Sequence, residues 1–104
     1  MKSEHTLDMV AAALCADYFR RAEAIAAGKL SRRTLMEYRY LNCRIFEAAM
    51  EQTADREDAL AYIEEIGARR GYAFSRFTVS EATYKRRKFA IKEGILTKLH
   101  LQDP

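Results

Sequence analysis

The residues best suited to chemistry lie in one stretch near the C-terminus, Phe77 to Ile91, reading FTVSEATYKRRKFAI. Lys85, Arg86, Arg87 and Lys88 follow Ser80 and Thr83 within two turns, and Lys92 comes one turn later. Cations at helical spacing behind an N-cap serine suit a polyanion. Ser80 caps a helix whose first backbone N–H groups point outward, where the helix dipole also favours a phosphate. Glu81, Ala82, Lys85 and Arg86 then occupy the first turns, where a helix in the DNA major groove meets base edges. Arg86 suits guanine, because its planar fork matches O6 and N7. Lys85, Arg87, Lys88 and Lys92 lie near the phosphate backbone and supply salt-dependent affinity, and Arg76 joins them from just upstream. Thr83 and Tyr84 either reach phosphate or pack inward. Val79 plugs the small core at the turn.

Charge is distributed to match. Residues 1–68 hold nine Lys/Arg against twelve Asp/Glu, a net of −3, whereas residues 69–104 hold nine against three, a net of +6. A basic back behind an acidic front localises polyanion contact at one end. Other chemistries find little support. Cys15 and Cys43 are far apart, with no CxxC and no nearby histidine, and are expected to be small core residues of a reduced, cytoplasmic protein. His5 and His100 sit near opposite ends, without a ligand partner in sequence. Glu57 and Asp58 are explained by a helix start, and Glu64 and Glu65 by pairing with basic residues four positions on. No Gly-rich phosphate loop and no Ser-His-Asp set is present, so the chain does not read as an enzyme and no cofactor or metal is expected. An apolar run of membrane-spanning length is also missing, and no membrane partner is expected.

These residues need elements to position them, and the composition points to an all-α fold. The chain has 104 residues with only four Gly and one Pro, and no alternating run of strand length. A single domain is expected, as a bundle of four main helices over about 6–27, 31–52, 55–70 and 80–99. In the first, Thr6 is the cap and Leu7, Val10, Leu14, Tyr18, Ala22 and Ile25 form one face, with Gly28 as the left-handed stop. Ser31 caps the second, which presents Leu35, Tyr38, Leu41, Asn42, Ile45 and Ala49. The short link between them predicts an antiparallel hairpin, 1–53, serving as support and dimer surface. Asp55 caps the third, whose buried stripe is Ala59, Leu60, Ile63 and Ile66, and Gly71 is its expected stop. Residues 71–79 form either a compact turn or a short helix. Tyr84, Ile91, Ile95 and Leu99 line the fourth. Residues 55–101 then make a helix-turn-helix-like unit. The six tyrosines fall mostly at core-facing spacings.

The stretch VSEATYKRRKFAIKEGILTKLHL, residues 79–101, resembles the C-terminal helix of phage-encoded late-transcription regulators of the ArpU/RinA-like group. It is also similar to the helix-turn-helix of sigma-factor region 4. Leu30, Ser31, Leu35, Tyr38, Arg39 and Tyr40 are similar to a sigma-like L-Y-R-Y segment. The resemblance implies sequence-specific promoter binding by a transcription regulator of phage or mobile-element origin, with RNA polymerase as a further partner. One position departs from the pattern. A standard unit has Ile-Ala-x-x-Leu-Gly before Val-Ser. With Phe77 on the Leu position, Phe74 falls on the small Ala position and Thr78 on the Gly. A Phe there would spread two touching helices, so the support is out of register or the turn is remodelled.

The expected partner is therefore double-stranded DNA, and a homodimer sharing part of its core fits so short a chain. Two alternatives stand beside it. One is a protein-interaction or assembly module without DNA contact, suggested by the aromatic 72–77 segment. The other is an RNA-binding helical bundle, since basic helices also fit structured RNA by shape.

Overall fold

The computed structural model describes residues 4–102. They form five α-helices and one 3-10 turn, with no strand among the described residues. The helices are α1 (Glu4–Ala16), α2 (Tyr18–Ala27), α3 (Arg32–Met50), α4 (Arg56–Gly67) and α5 (Glu81–Lys98), and the 3-10 turn covers Tyr72–Phe74. The fold is thus the small all-α bundle expected, with the first expected helix broken in two at Asp17.

That break has no Pro or Gly behind it. Its cause is a side chain inserted into the helical ladder. The Arg21 guanidinium donates to the Leu14 carbonyl at 2.6 Å. A straight helix would give that acceptor to the N–H of residue 18. Arg21 Nε also donates to Asn42 Oδ1 at 2.8 Å, and Asn42 Nδ2 donates to the Tyr18 carbonyl at 3.0 Å. A buried Arg and a buried Asn, one on α2 and one on α3, therefore fix the corner. The corner changes the topology. Only α2 pairs with α3 as the expected hairpin, while α1 turns away to pack on α4 and α5. The buried face of α1 is correspondingly Ala11, Ala12 and Cys15, and Ala22 on α2 is exposed.

Small residues let α1 and α4 meet closely. A Cβ built on Gly67 would lie 2.7 Å from the backbone nitrogen of Ala16 and 2.8 Å from its Cα. Such distances are open only to glycine. The main core joins Cys15 of α1, Ile45 and Ala49 of α3, Tyr62 and Ile63 of α4, and Tyr84, Ile91 and Ile95 of α5. Cys43, by contrast, is exposed, because it lies on the outer face of α3, opposite the face that carries Ile45 and Ala49.

The caps follow local chemistry. Ser31 accepts from the Thr34 N–H, and Asp55 from the Asp58 N–H at 2.8 Å, each satisfying an otherwise orphan donor. Among the described residues a left-handed glycine follows only α2, at Gly28 with φ 71°. The left-handed position after α4 is taken by Arg69 (φ 57°), and that after α5 by His100 (φ 59°). After α4, the Arg69 N–H bonds the Ile66 carbonyl and the Arg70 N–H bonds the Glu65 carbonyl at 2.9 Å, a Schellman stop. The expected stop at Gly71 is displaced by two residues.

Candidate nucleic-acid interface

α5 is capped as its sequence implies. Ser80 Oγ accepts from the Thr83 N–H at 3.2 Å and donates to the Thr83 hydroxyl at 3.0 Å. Both hydroxyls therefore hold the helix start. The preceding residue is pinned as well, since the Tyr72 hydroxyl donates to the Val79 carbonyl at 2.7 Å. The connection from α4 spans residues 68–80, far longer than the turn of about three or four residues in a standard helix-turn-helix. α5 packs on α3 and α1, and reaches α4 mainly through long side chains. Phe74 does not wedge between helices. The residue is 79% exposed, so the expected clash is avoided by pointing outward.

The ten residues expected at the site separate into distinct groups. Of the two placements open to Tyr84, the structure takes the inward one, which removes it from the phosphate-facing set: it is 1% exposed, and its hydroxyl donates to Glu65 Oε1 at 2.7 Å. Burial and the Glu65 carboxylate push its pKa up to about 12. Lys88 is half-buried, donating to the Arg70 carbonyl at 2.7 Å with its ammonium 5.0 Å from the Tyr84 ring centre. Lys92 is ion-paired with Asp8, whose carboxyl it holds below the ordinary range. The Arg76 guanidinium meets Glu64 at 3.0 Å, and its backbone N–H donates to Glu65 Oε2 at 3.1 Å. Arg76, Lys88 and Lys92 are thus engaged within the fold. Glu81 and Lys85 form an exposed pair at 2.8 Å, of the kind worth little in water. Arg87 is half-buried. Arg86 is exposed, with no ion pair to any described residue.

One outward stripe of α5 remains: Ala82, Lys85, Arg86 and Phe89, at three- and four-residue steps. Phe89 is 53% exposed beside two cations. The stripe offers a fork for guanine, an ammonium for phosphate and two apolar groups of the type that contact thymine methyls.

Glu65 is the residue that sequence reasoning misplaced most. It is fully buried, where surface pairing was expected. Burial raises its pKa, but hydrogen bonds from Tyr84, Ser75 and the Arg76 N–H, with the charge of Arg70, outweigh that and hold it below the ordinary value. It ties α4, the connector and α5 together. Its spacing held the clue, since it falls four residues after Ala61 and three after Tyr62, both buried. No sequence signal marks Arg69 as a left-handed residue.

Among the described residues no group of His, Cys, Asp and Glu is arranged to hold a metal, and no helix is long and apolar enough to cross a membrane. No protein-family model matches the chain, and comparison with curated proteins and with solved structures gives no significant match.

Proposed function

We propose that this chain binds double-stranded DNA as a transcription regulator of phage or mobile-element origin, laying the outer stripe of α5 in the major groove. The observation that carries the proposal is that stripe, in which Lys85 and Arg86 are exposed on a firmly capped helix beside Ala82 and Phe89. Arg86 contacts base edges, Lys85 a phosphate, and Phe89 the wall of the groove.

The test is duplex binding by fluorescence anisotropy at low salt, for the parent and for Lys85→Ala combined with Arg86→Ala. Both positions are exposed and Ala favours helix, so circular dichroism should be unchanged. Affinity should fall by about 10- to 100-fold. Equal binding by the double variant, or no binding by the parent, overturns the proposal.

The exposure of Phe74 favours a second reading, in which a protein partner docks on the connector. In that case Phe74→Ala abolishes capture of one nuclease-resistant partner and leaves α5 unimportant.

A further inference from the structure

Beside α5 lies a pocket of about 190 Å³ at the seam between the end of α4 and the flank of α5. Arg69, Arg70, Lys88 and Lys92 line it, against the single carboxylate of Asp8. Lys92 is answered by Asp8, and Lys88 spends one N–H on the Arg70 carbonyl. The guanidinium groups of Arg69 and Arg70 close no ion pair with a described carboxylate. Four cations face Asp8 in the lining and the buried Glu65 carboxylate behind Arg70 and Lys88, so the seam keeps a net positive charge. Burial, with the neighbouring Lys92 charge, holds the Lys88 pKa below the ordinary lysine value against the opposing charges of Glu65 and Asp8.

The backbone makes a second, independent observation. Arg69 occupies the left-handed region at φ 57°, a position where a side chain is strained and glycine is the usual occupant. The stop after α2 uses glycine, and that after α5 uses His100. Strain of this kind persists where the surrounding structure or a ligand needs the side chain. Here it places Arg69 in the lining of a cationic pocket. An adjoining cleft shares Lys88 and Lys92 with the pocket and reaches Lys85 and Phe89, so the seam is continuous with the outer stripe of α5.

We infer that the seam formed by Arg69, Arg70 and Lys88 is a phosphate-binding site that takes a backbone phosphate of the nucleic acid flanking α5. This deepens the DNA proposal and rests on it for the identity of the ligand. A phosphate there accepts from both guanidinium groups and from the remaining N–H groups of Lys88, while Asp8 stays on Lys92.

Inorganic phosphate is the probe. The full chain is titrated at fixed ionic strength and followed by backbone amide shifts. Saturating shifts should concentrate at residues 69–71 and 88. Arg69→Gly relieves the left-handed strain while removing the charge. Its melting temperature should hold or rise by about 2–4 °C, because relief of strain is partly offset by glycine's extra unfolded freedom. Its phosphate affinity should nevertheless fall by about tenfold, the loss expected for a hydrogen bond to a charged group. A better-folded variant that binds worse cannot be explained by damage to the fold.

Shifts scattered over all surface cations without saturation overturn the site, and so does phosphate binding unchanged in Arg69→Gly. Duplex binding separates the two proposals. If DNA affinity needs Lys85 and Arg86 but ignores Arg69→Gly, the seam fails and the DNA proposal stands. If phosphate saturates the seam but duplex DNA is not bound, the anion site stands, and the DNA proposal fails along with the identity of its ligand.

Discussion

Two buried tyrosines make opposite uses of one atom. The Tyr84 hydroxyl gives its proton to buried Glu65, whereas the Tyr62 hydroxyl is buried without a hydrogen-bond partner among the described residues. An unpaired buried hydroxyl costs free energy, and removal of one partner from a buried pair strands the other. The same substitution should therefore change sign between them. Tyr62→Phe keeps the ring stacked on Phe77 at 4.0 Å and should stabilise by about 1 kcal/mol. Tyr84→Phe strands part of a buried carboxylate and should cost about 1–3 kcal/mol in urea unfolding. Titration separates the two further. The folded pKa of Tyr84, about 12, lies above the ordinary value of 10.0. A raised folded value means the contribution is complete below pH 10 and is lost as pH climbs from 10 to 12. Parent stability should decline across that window, and Tyr84→Phe should not show this component. Parallel pH profiles for the two proteins would refute the Glu65–Tyr84 pairing as a source of stability.

Helix placement was legible where caps and periodicity agree. Ser31, Asp55 and Ser80 each start a helix where the sequence places one, because a short polar side chain satisfies a free N–H locally. The corner at Asp17 was not legible. It depends on Arg21 meeting Leu14 and Asn42, and Asn42 is 21 residues away from Arg21 in sequence. Local periodicity carries no record of such a contact, so Leu7 to Ile25 read as one straight face. The site divides the same way. Arg86 and Lys85 were legible as exposed cations at the start of a capped helix. Spacing put Tyr84 and Glu65 on inward faces, but their pairing, across 19 residues, required the packing of α5 against the rest of the bundle. Gly67 marks an element-scale requirement with a direct test. Its missing side chain admits the backbone of Ala16, and Gly67→Ala would force α1 and α4 apart at the corner. In an open helix that change would favour folding, since Ala is the better helix former. Here overpacking should win, at a cost of about 1–3 kcal/mol by urea denaturation. A stabilised Gly67→Ala variant would mean that α1 does not seat against α4 this closely.

At the scale of the molecule, the charge division becomes a statement about how many cations are free. Nine Lys/Arg lie in residues 69–104, but the fold engages several of them. Arg76 is held by Glu64, Lys92 by Asp8, Lys98 by Glu51 and Lys88 by the Arg70 carbonyl. Arg69, Arg70, Lys85, Arg86 and the half-buried Arg87 remain to neutralise phosphates, with Lys85 giving up only a weak exposed pair. Each neutralised duplex phosphate contributes about −0.9 to the slope of log affinity against log salt. Five free cations per chain predict a slope of about −4 to −5, whereas nine would give about −8. The number of chains per duplex must be fixed by light scattering, since two chains bound together double the slope. Arg86→Ala should then remove about one charge from the slope if Arg86 touches phosphate, and lower affinity with little change in slope if it reads a base. A per-chain slope near −8 would mean that DNA breaks the Asp8–Lys92 and Glu64–Arg76 pairs on binding. α1 and the connector would then have to move with the ligand, and the bundle would not present a preformed surface.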